Sequence, residues 1–331
     1  MERFALAAAV VLGFALTAAL CSLFVPLRRV LERREQQQQP VQSEQPRPAP
    51  LRAPLWGGLC AAAGTVAAVG VGWLAACVGQ PELLGSEGRL MTRLLTALAG
   101  SLAFGAVGLA EDVARMRSPA ALGLRRDVRL LLEALAAAFV LLLLRAAGCL
   151  PRGLGVPGAG YVLLGSAVPF LWAVLMVALA ECARIAERDE GAVCGAAFVA
   201  MLALMMVEAG LGVSGLAVLP AALAGALVAL GLWAFPPARL GVGCCGSLLA
   251  AGAIGCIPLS LDMTSLTVPL ALPFWAAGGL LAAQLLGAKR TGKPLRCWVK
   301  KHKMSPETVF LCSFALSAVG YVLALALLRW C

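Results

Sequence analysis

Residues 4–27 read FALAAAVVLGFALTAALCSLFVPL, a stretch without a single charged side chain. Crossing a bilayer takes a helix of about 20 consecutive apolar residues, and this run supplies them. It is too long and too weakly flanked for a cleaved signal peptide. Leu20 before Cys21 also argues against a lipoprotein cleavage site, which wants a small residue there. The stretch reads as a retained first transmembrane helix.

The rest of the chain repeats the pattern. Apolar residues make up 61% of the 331 positions and charged residues 13%, against about 45–50% and about 25% in soluble domains. Similar runs fall at 55–78, 93–110, 128–147, 159–180, 191–208, 212–234, 244–259, 266–287 and 308–329. The expectation is an all-α polytopic membrane protein of about ten transmembrane helices, forming one integral-membrane domain over residues 1–331. Segments 26–54, 111–127, 181–190, 235–243 and 287–307 hold 20 of the 27 Lys and Arg residues. With ten spans all five lie on one side. Basic loops mark the cytoplasmic side, so both termini are expected outside and the five loops inside. The net charge of +10 is then a topology signal and an anchor to anionic membrane lipid; nothing points to nucleic acid. The twelve cysteines have no C-x-x-C and no repeating spacing, which argues against a disulfide framework or structural zinc site.

Span interiors offer little chemistry. Glu133, Arg145 and Glu208 lie near predicted ends, from which long side chains reach the interface, and no polar path suggests a carrier or channel. The loops carry more. Loop 26–54 is Gln- and Pro-rich and reads as an extended linker. In GLAEDVARMRSPAALGLRRDVRLLLE, Glu111 and Asp112 leave the third span with Arg115 one helical turn on. This is either a solvated ion pair or a pair of carboxylates able to hold a divalent cation. In AECARIAERDEGAV, Glu187 and Glu190 stand three apart, among Glu181, Arg184, Arg188 and Asp189. A helical turn would put both on one face. The last loop, GAKRTGKPLRCWVKKHKMSPETV, holds seven basic residues and the sole histidine, His302, a composition suited to an anionic phosphate. The run FPPARLGVGCCGSLLAAGAIG sets two adjacent cysteines, Cys244 and Cys245, in a Gly-bounded turn.

In this order these segments resemble the prenyl-phosphate phospho-sugar transferases, nearest to the phospho-N-acetylmuramoyl-pentapeptide-transferase group. APLWGG is similar to that group's TPTMGG. GLAEDVAR followed by GLRRDVRLLLE is similar to G-x-x-D-D-x-x-K followed by G-L-x-x-x-x-K-L-L-x-Q. ECARIAERDEGAV matches N-A-V-N-L-T-D-G-L-D-G-L-A without gaps, and FPPARLGVGCCGS matches Y-P-A-K-V-F-M-G-D-T-G-S. RTGKPLR and SPETV are similar to the segments flanking the family's histidine cluster.

The resemblance implies transfer of a phospho-sugar from a UDP-sugar to undecaprenyl phosphate in a bacterial cytoplasmic membrane, with Mg²⁺ as cofactor and UMP as leaving group. It implies Glu111 and Asp112 as catalytic carboxylates. Glu187 and Glu190 become the metal ligands, and Arg115, Arg184, Lys300, Lys301 and His302 the substrate-binding residues. A homodimer or other envelope-synthesis proteins are the implied partners.

The departures are as informative. Cys244 stands where the family has its metal-binding aspartate, and Cys245 where it has threonine. Ala53 and Leu55 replace the threonines of TPTMGG, and the histidine triplet becomes Lys300, Lys301 and His302. A thiol is a poor ligand for Mg²⁺. Two expectations follow: a transferase homologue with weakened or lost catalysis kept as a scaffold or regulator, or an active transferase whose metal rests on Asp112, Glu187 and Glu190.

Overall fold

The computed structural model describes residues 2–38, 56–79, 88–117, 123–151, 153–156, 160–163, 165, 167–187, 191–235, 239–286 and 305–330. The chain is helical nearly throughout. The helices are α1 (Glu2–Gln38), α2 (Gly57–Gly79), α3 (Gly88–Arg117), α4 (Arg126–Ala146), α5 (Ala167–Ala186), α6 (Ala192–Gly210), α7 (Ser214–Ala234), α8 (Gly243–Ser260), α9 (Thr267–Leu270), α10 (Leu272–Leu286) and α11 (Pro306–Trp330). Among the described residues, eight are long and apolar enough to cross a membrane. The other two expected segments are filled by α4 and α10. The protein is an all-α polytopic membrane protein, as its hydropathy requires, because helices satisfy every backbone group inside lipid.

Burial sets out the layers. Every residue of α8 is buried, and α7 nearly so. These two form the centre, with α3 against α8 and α1 against α7. At the other extreme α11 turns Leu311, Phe314, Val322 and Leu323 outward, the surface of a helix bathed in lipid.

Without a hydrophobic force between helices in lipid, close packing needs small residues at the contacts. Gly13 of α1 faces the Ala222 carbonyl of α7, and Gly225 of α7 faces the Val10 carbonyl of α1. Along α1 and α2, Thr17 packs on Gly64, and further down Phe24 stacks on Trp56 with ring centroids 5.8 Å apart.

Several boundaries differ from expectation. Helix α1 continues to Gln38, into the segment read as a linker. Helix α3 continues to Arg117, so Glu111, Asp112 and Arg115 sit on its last turns and not in a loop. The fifth span starts later and ends later: an antiparallel hairpin, β1 (Gly153–Val156) with β2 (Gly160–Leu163), precedes it, in register Gly153↔Leu163 to Val156↔Gly160. Its helix reaches Ala186 and carries Glu181 and Arg184. The ninth apolar run is broken into a 3₁₀ turn (Thr264–Leu266), α9 and α10. Prolines at 269 and 273 each lack the amide a continuous helix needs.

Glu133 and Glu208 do not reach an interface. They are 0% and 1% exposed, and Glu133 has no hydrogen-bond partner on either oxygen.

Candidate functional site

The ends of α3 and α5 and the starts of α4 and α8 meet at one end of the bundle. The backbone of the α8 start is the fixed point. Gly243 adopts φ +71°, a left-handed conformation that glycine tolerates without steric cost, and turns the chain into α8. Two other glycines let neighbouring helices close on this turn. A Cβ on Gly58 of α2 would run into the backbone of Gly246, and one on Gly108 of α3 into the carbonyl of Cys244. Ser247 Oγ–H donates to the Cys244 carbonyl at 3.1 Å.

The first amides of α8 have no partner within their own helix; Asp112 supplies one. The Cys244 N–H donates to Asp112 Oδ1 at 3.0 Å and the Cys245 N–H to Oδ2 at 2.9 Å. Asp112 is 0% exposed. A carboxylate that accepts on both oxygens at a positive helix end is favourably placed.

Around this cap lies a network of acids and guanidinium groups. Arg115 Nη2 donates to Glu111 Oε1 at 2.7 Å, the ion pair expected from their spacing. It is buried, not solvated: Glu111 is 2% exposed. Arg115 Nη1 lies 3.4 Å from Glu187 Oε2 and 3.9 Å from Asp112 Oδ1. Arg129 Nε donates to Glu181 Oε1 at 2.8 Å, and Arg184 Nη2 holds Glu181 Oε2 at 2.5 Å. Arg129 Nη1 is 3.8 Å from Glu111 Oε1. Glu133, one turn above Arg129, feels the charges of Glu181, Arg129, Arg184 and Glu111.

The Cys244 thiol donates to Glu187 Oε2 at 3.2 Å. One ligand atom each from Asp112, Glu187 and Cys244 lie within 4.8 Å of one another. This trio tests the expected magnesium. Mg²⁺ demands near-ideal octahedral oxygen coordination, whereas one of the three donors is sulfur. The donor set does not fit Mg²⁺.

Of the residues singled out by sequence, the structure brings together Glu111, Asp112, Arg115, Arg184, Glu187 and Cys244. Among the described residues the ion pair of Arg184 is with Glu181. Glu190, Lys300, Lys301 and His302 lie outside the described residues. The chain leaves α5 at Ala186, and Gly191 turns it into α6 with φ +84°. Glu187 occupies the turn that follows α5; the face it was expected to share with Glu190 lies outside the described residues.

Sequence reading passed over Arg129 and Glu133 as site residues. Their signal was available: two ionisable side chains one turn apart in an apolar helix are costly in a membrane unless they face the bundle interior.

A family model described as glycosyl transferase family 4 matches residues 94–262, from α3 through the end of α8. It takes in every described member of the cluster. No curated protein matches the chain. The matched region is just over half of the 331 residues, and on that match the chain belongs to glycosyl transferase family 4, whose members support a membrane phospho-sugar transferase type of function.

Proposed function

We propose that this protein is a homologue of phospho-N-acetylmuramoyl-pentapeptide-transferase with weakened or lost catalysis, acting as a scaffold or regulator of lipid-linked precursor synthesis in the bacterial cytoplasmic membrane. In this reading both termini face outward and the acidic cluster faces the cytoplasm, where UDP-sugar and the phosphate of undecaprenyl phosphate would meet. A second copy of the chain or other envelope-synthesis proteins would be its partners. The observation that carries the reading is Cys244 beside Asp112 and Glu187. The reaction must neutralise a diphosphate, a task that this family type gives to a hard divalent cation. Here the sulfur of Cys244 replaces an oxygen ligand. Asp112 serves the fold, and Arg115 draws on Glu111 and Glu187.

A second reading has one observation in its favour. Glu111, Asp112 and Glu187 keep their negative charge where the resemblance requires carboxylates, which suits an active transferase resting on Asp112, Glu187 and Glu190.

The test is UMP release by purified protein from UDP-sugar and undecaprenyl phosphate, with Mg²⁺ or Mn²⁺, beside a binding measurement for the UDP-sugar. Binding without UMP is the outcome for a regulator, and neither binding nor UMP that for a scaffold. Steady UMP release would overturn the proposal in favour of the second reading.

A further inference from the structure

The misfit to Mg²⁺ has a positive side. We propose that Asp112, Glu187 and Cys244 form a site for a thiophilic divalent cation of the zinc class, with sulfur as the ligand that selects it. The proposal rests on the geometry and holds whether or not the transferase reaction survives.

Three separate segments deliver the donors: the last turns of α3, the turn after α5 and the first turn of α8. Their ligand atoms already lie within 4.8 Å of one another, close enough for one ion to touch all three. Catalytic zinc sites commonly use three protein ligands and leave a fourth position open, and thiolate ligands favour zinc over magnesium. Each Asp112 oxygen accepts one amide and keeps a second lone pair.

Arg115 borders the position, its Nη1 donating to both Glu187 oxygens at 3.4 and 3.5 Å, and an incoming ion would displace those two weak contacts. Its one short contact is to Glu111, 2.7 Å away, outside the trio. Its distances of 3.4 Å to Glu187 and 3.9 Å to Asp112 exceed those of a strong charge-assisted hydrogen bond.

A second observation is unmet polar capacity beside the trio. Glu111, which shares Arg115 with Glu187, has a buried Oε2 without a hydrogen-bond partner. A buried polar oxygen in that state is costly unless it finds a donor or a cation. Binding is a ligand substitution. The Cys244 proton now shared with Glu187 passes to solvent, a sulfur–metal bond forms, and no electron moves.

Co²⁺ is the probe, titrated into the full chain in detergent micelles after chelator treatment. One equivalent should bind with a thiolate-to-cobalt charge-transfer band in the near ultraviolet. Zn²⁺ should bleach that band, and Mg²⁺ at about a thousandfold excess should not. Cys244→Ser should abolish the band, and Cys245→Ser should keep it. Glu187→Gln, which keeps the size of the side chain, should weaken Zn²⁺ competition by roughly 10-fold or more. Absence of the band at saturating Co²⁺, or its persistence in Cys244→Ser, overturns the site. UMP release plays no part in this readout, so its failure and that of the functional reading are separable.

Discussion

Asp112 on α3 holds Cys244 at the start of α8 by the main chain: Oδ1 accepts the Cys244 amide at 3.0 Å while Oδ2 accepts that of Cys245 at 2.9 Å. The residue that resemblance marks as catalytic is also the cap of the most buried helix in the protein. Asp112→Asn would replace one acceptor by a donor facing an N–H. Hydrogen bonds to charged groups contribute about 1.5–3 kcal/mol, so the variant should lose stability on that order. Thermal unfolding in micelles, compared with Glu187→Gln, checks it; equal unfolding temperatures would argue against a capping role.

Glu133 gives the opposite sign. Its carboxylate is fully buried and has no hydrogen bond. Glu133→Met removes both oxygens and keeps about the same length. Because a buried polar group without a partner costs about 1–3 kcal/mol, metal-free Glu133→Met should unfold at a higher temperature than the natural protein. A lower temperature would mean that the carboxylate has a stabilising role.

Gly58 and Gly108 are predicted to be intolerant of any side chain. Gly108→Ala would drive its Cβ into the Cys244 carbonyl and Gly58→Ala into Gly246. Overpacking of this kind costs about 1–3 kcal/mol. Gly70 has open space around its Cβ position, and Gly70→Ala should stay within about 0.5 kcal/mol of the natural protein. Folded yield after solubilisation ranks the three.

Arg129 ties α4 to α5 through Glu181. In Arg129→Met, Glu181 keeps Arg184 and Glu111 keeps Arg115, so the loss should be about 1.5–3 kcal/mol and not the 3–5 kcal/mol of a fully orphaned buried charge. Arg129→Lys should recover part of it. Denaturant or thermal unfolding measures both.

Cys244→Asp alone should leave UMP release below detection. An added oxygen ligand restores neither the threonines replaced by Ala53 and Leu55 nor the histidines replaced by Lys300 and Lys301. UMP release, measured beside the natural protein, decides; turnover appearing in this variant favours the active reading.

The membrane fold was legible because hydropathy acts on whole segments. The run at 4–27 and its successors announce helices whatever packs beside them. Boundaries were less legible, since lipid does not end a helix. Helices α3 and α5 run past their apolar stretches because Glu111 with Arg115, and Glu181 with Arg184, pair on the last turns and shield one another. The gathering of Glu111, Asp112, Glu187 and Cys244 was visible only through resemblance, as nothing local brings position 112 to position 244. Arg129, Glu133 and the capping role of Asp112 depend on contacts across more than one helix, to which neither periodicity nor spacing refers.

The turn at Gly243–Ser247 separates two inheritances. What α2 and α3 grip there is main chain: glycine against glycine, glycine against carbonyl, carboxylate against amide. The side chains at 244 and 245 take no part in that grip. The path of this turn is therefore held without them, and a thiol there can give way to another buried group of similar size without a change of architecture. For protein engineering the turn is a socket in which a small oxygen donor can stand in for sulfur on an unmoved frame.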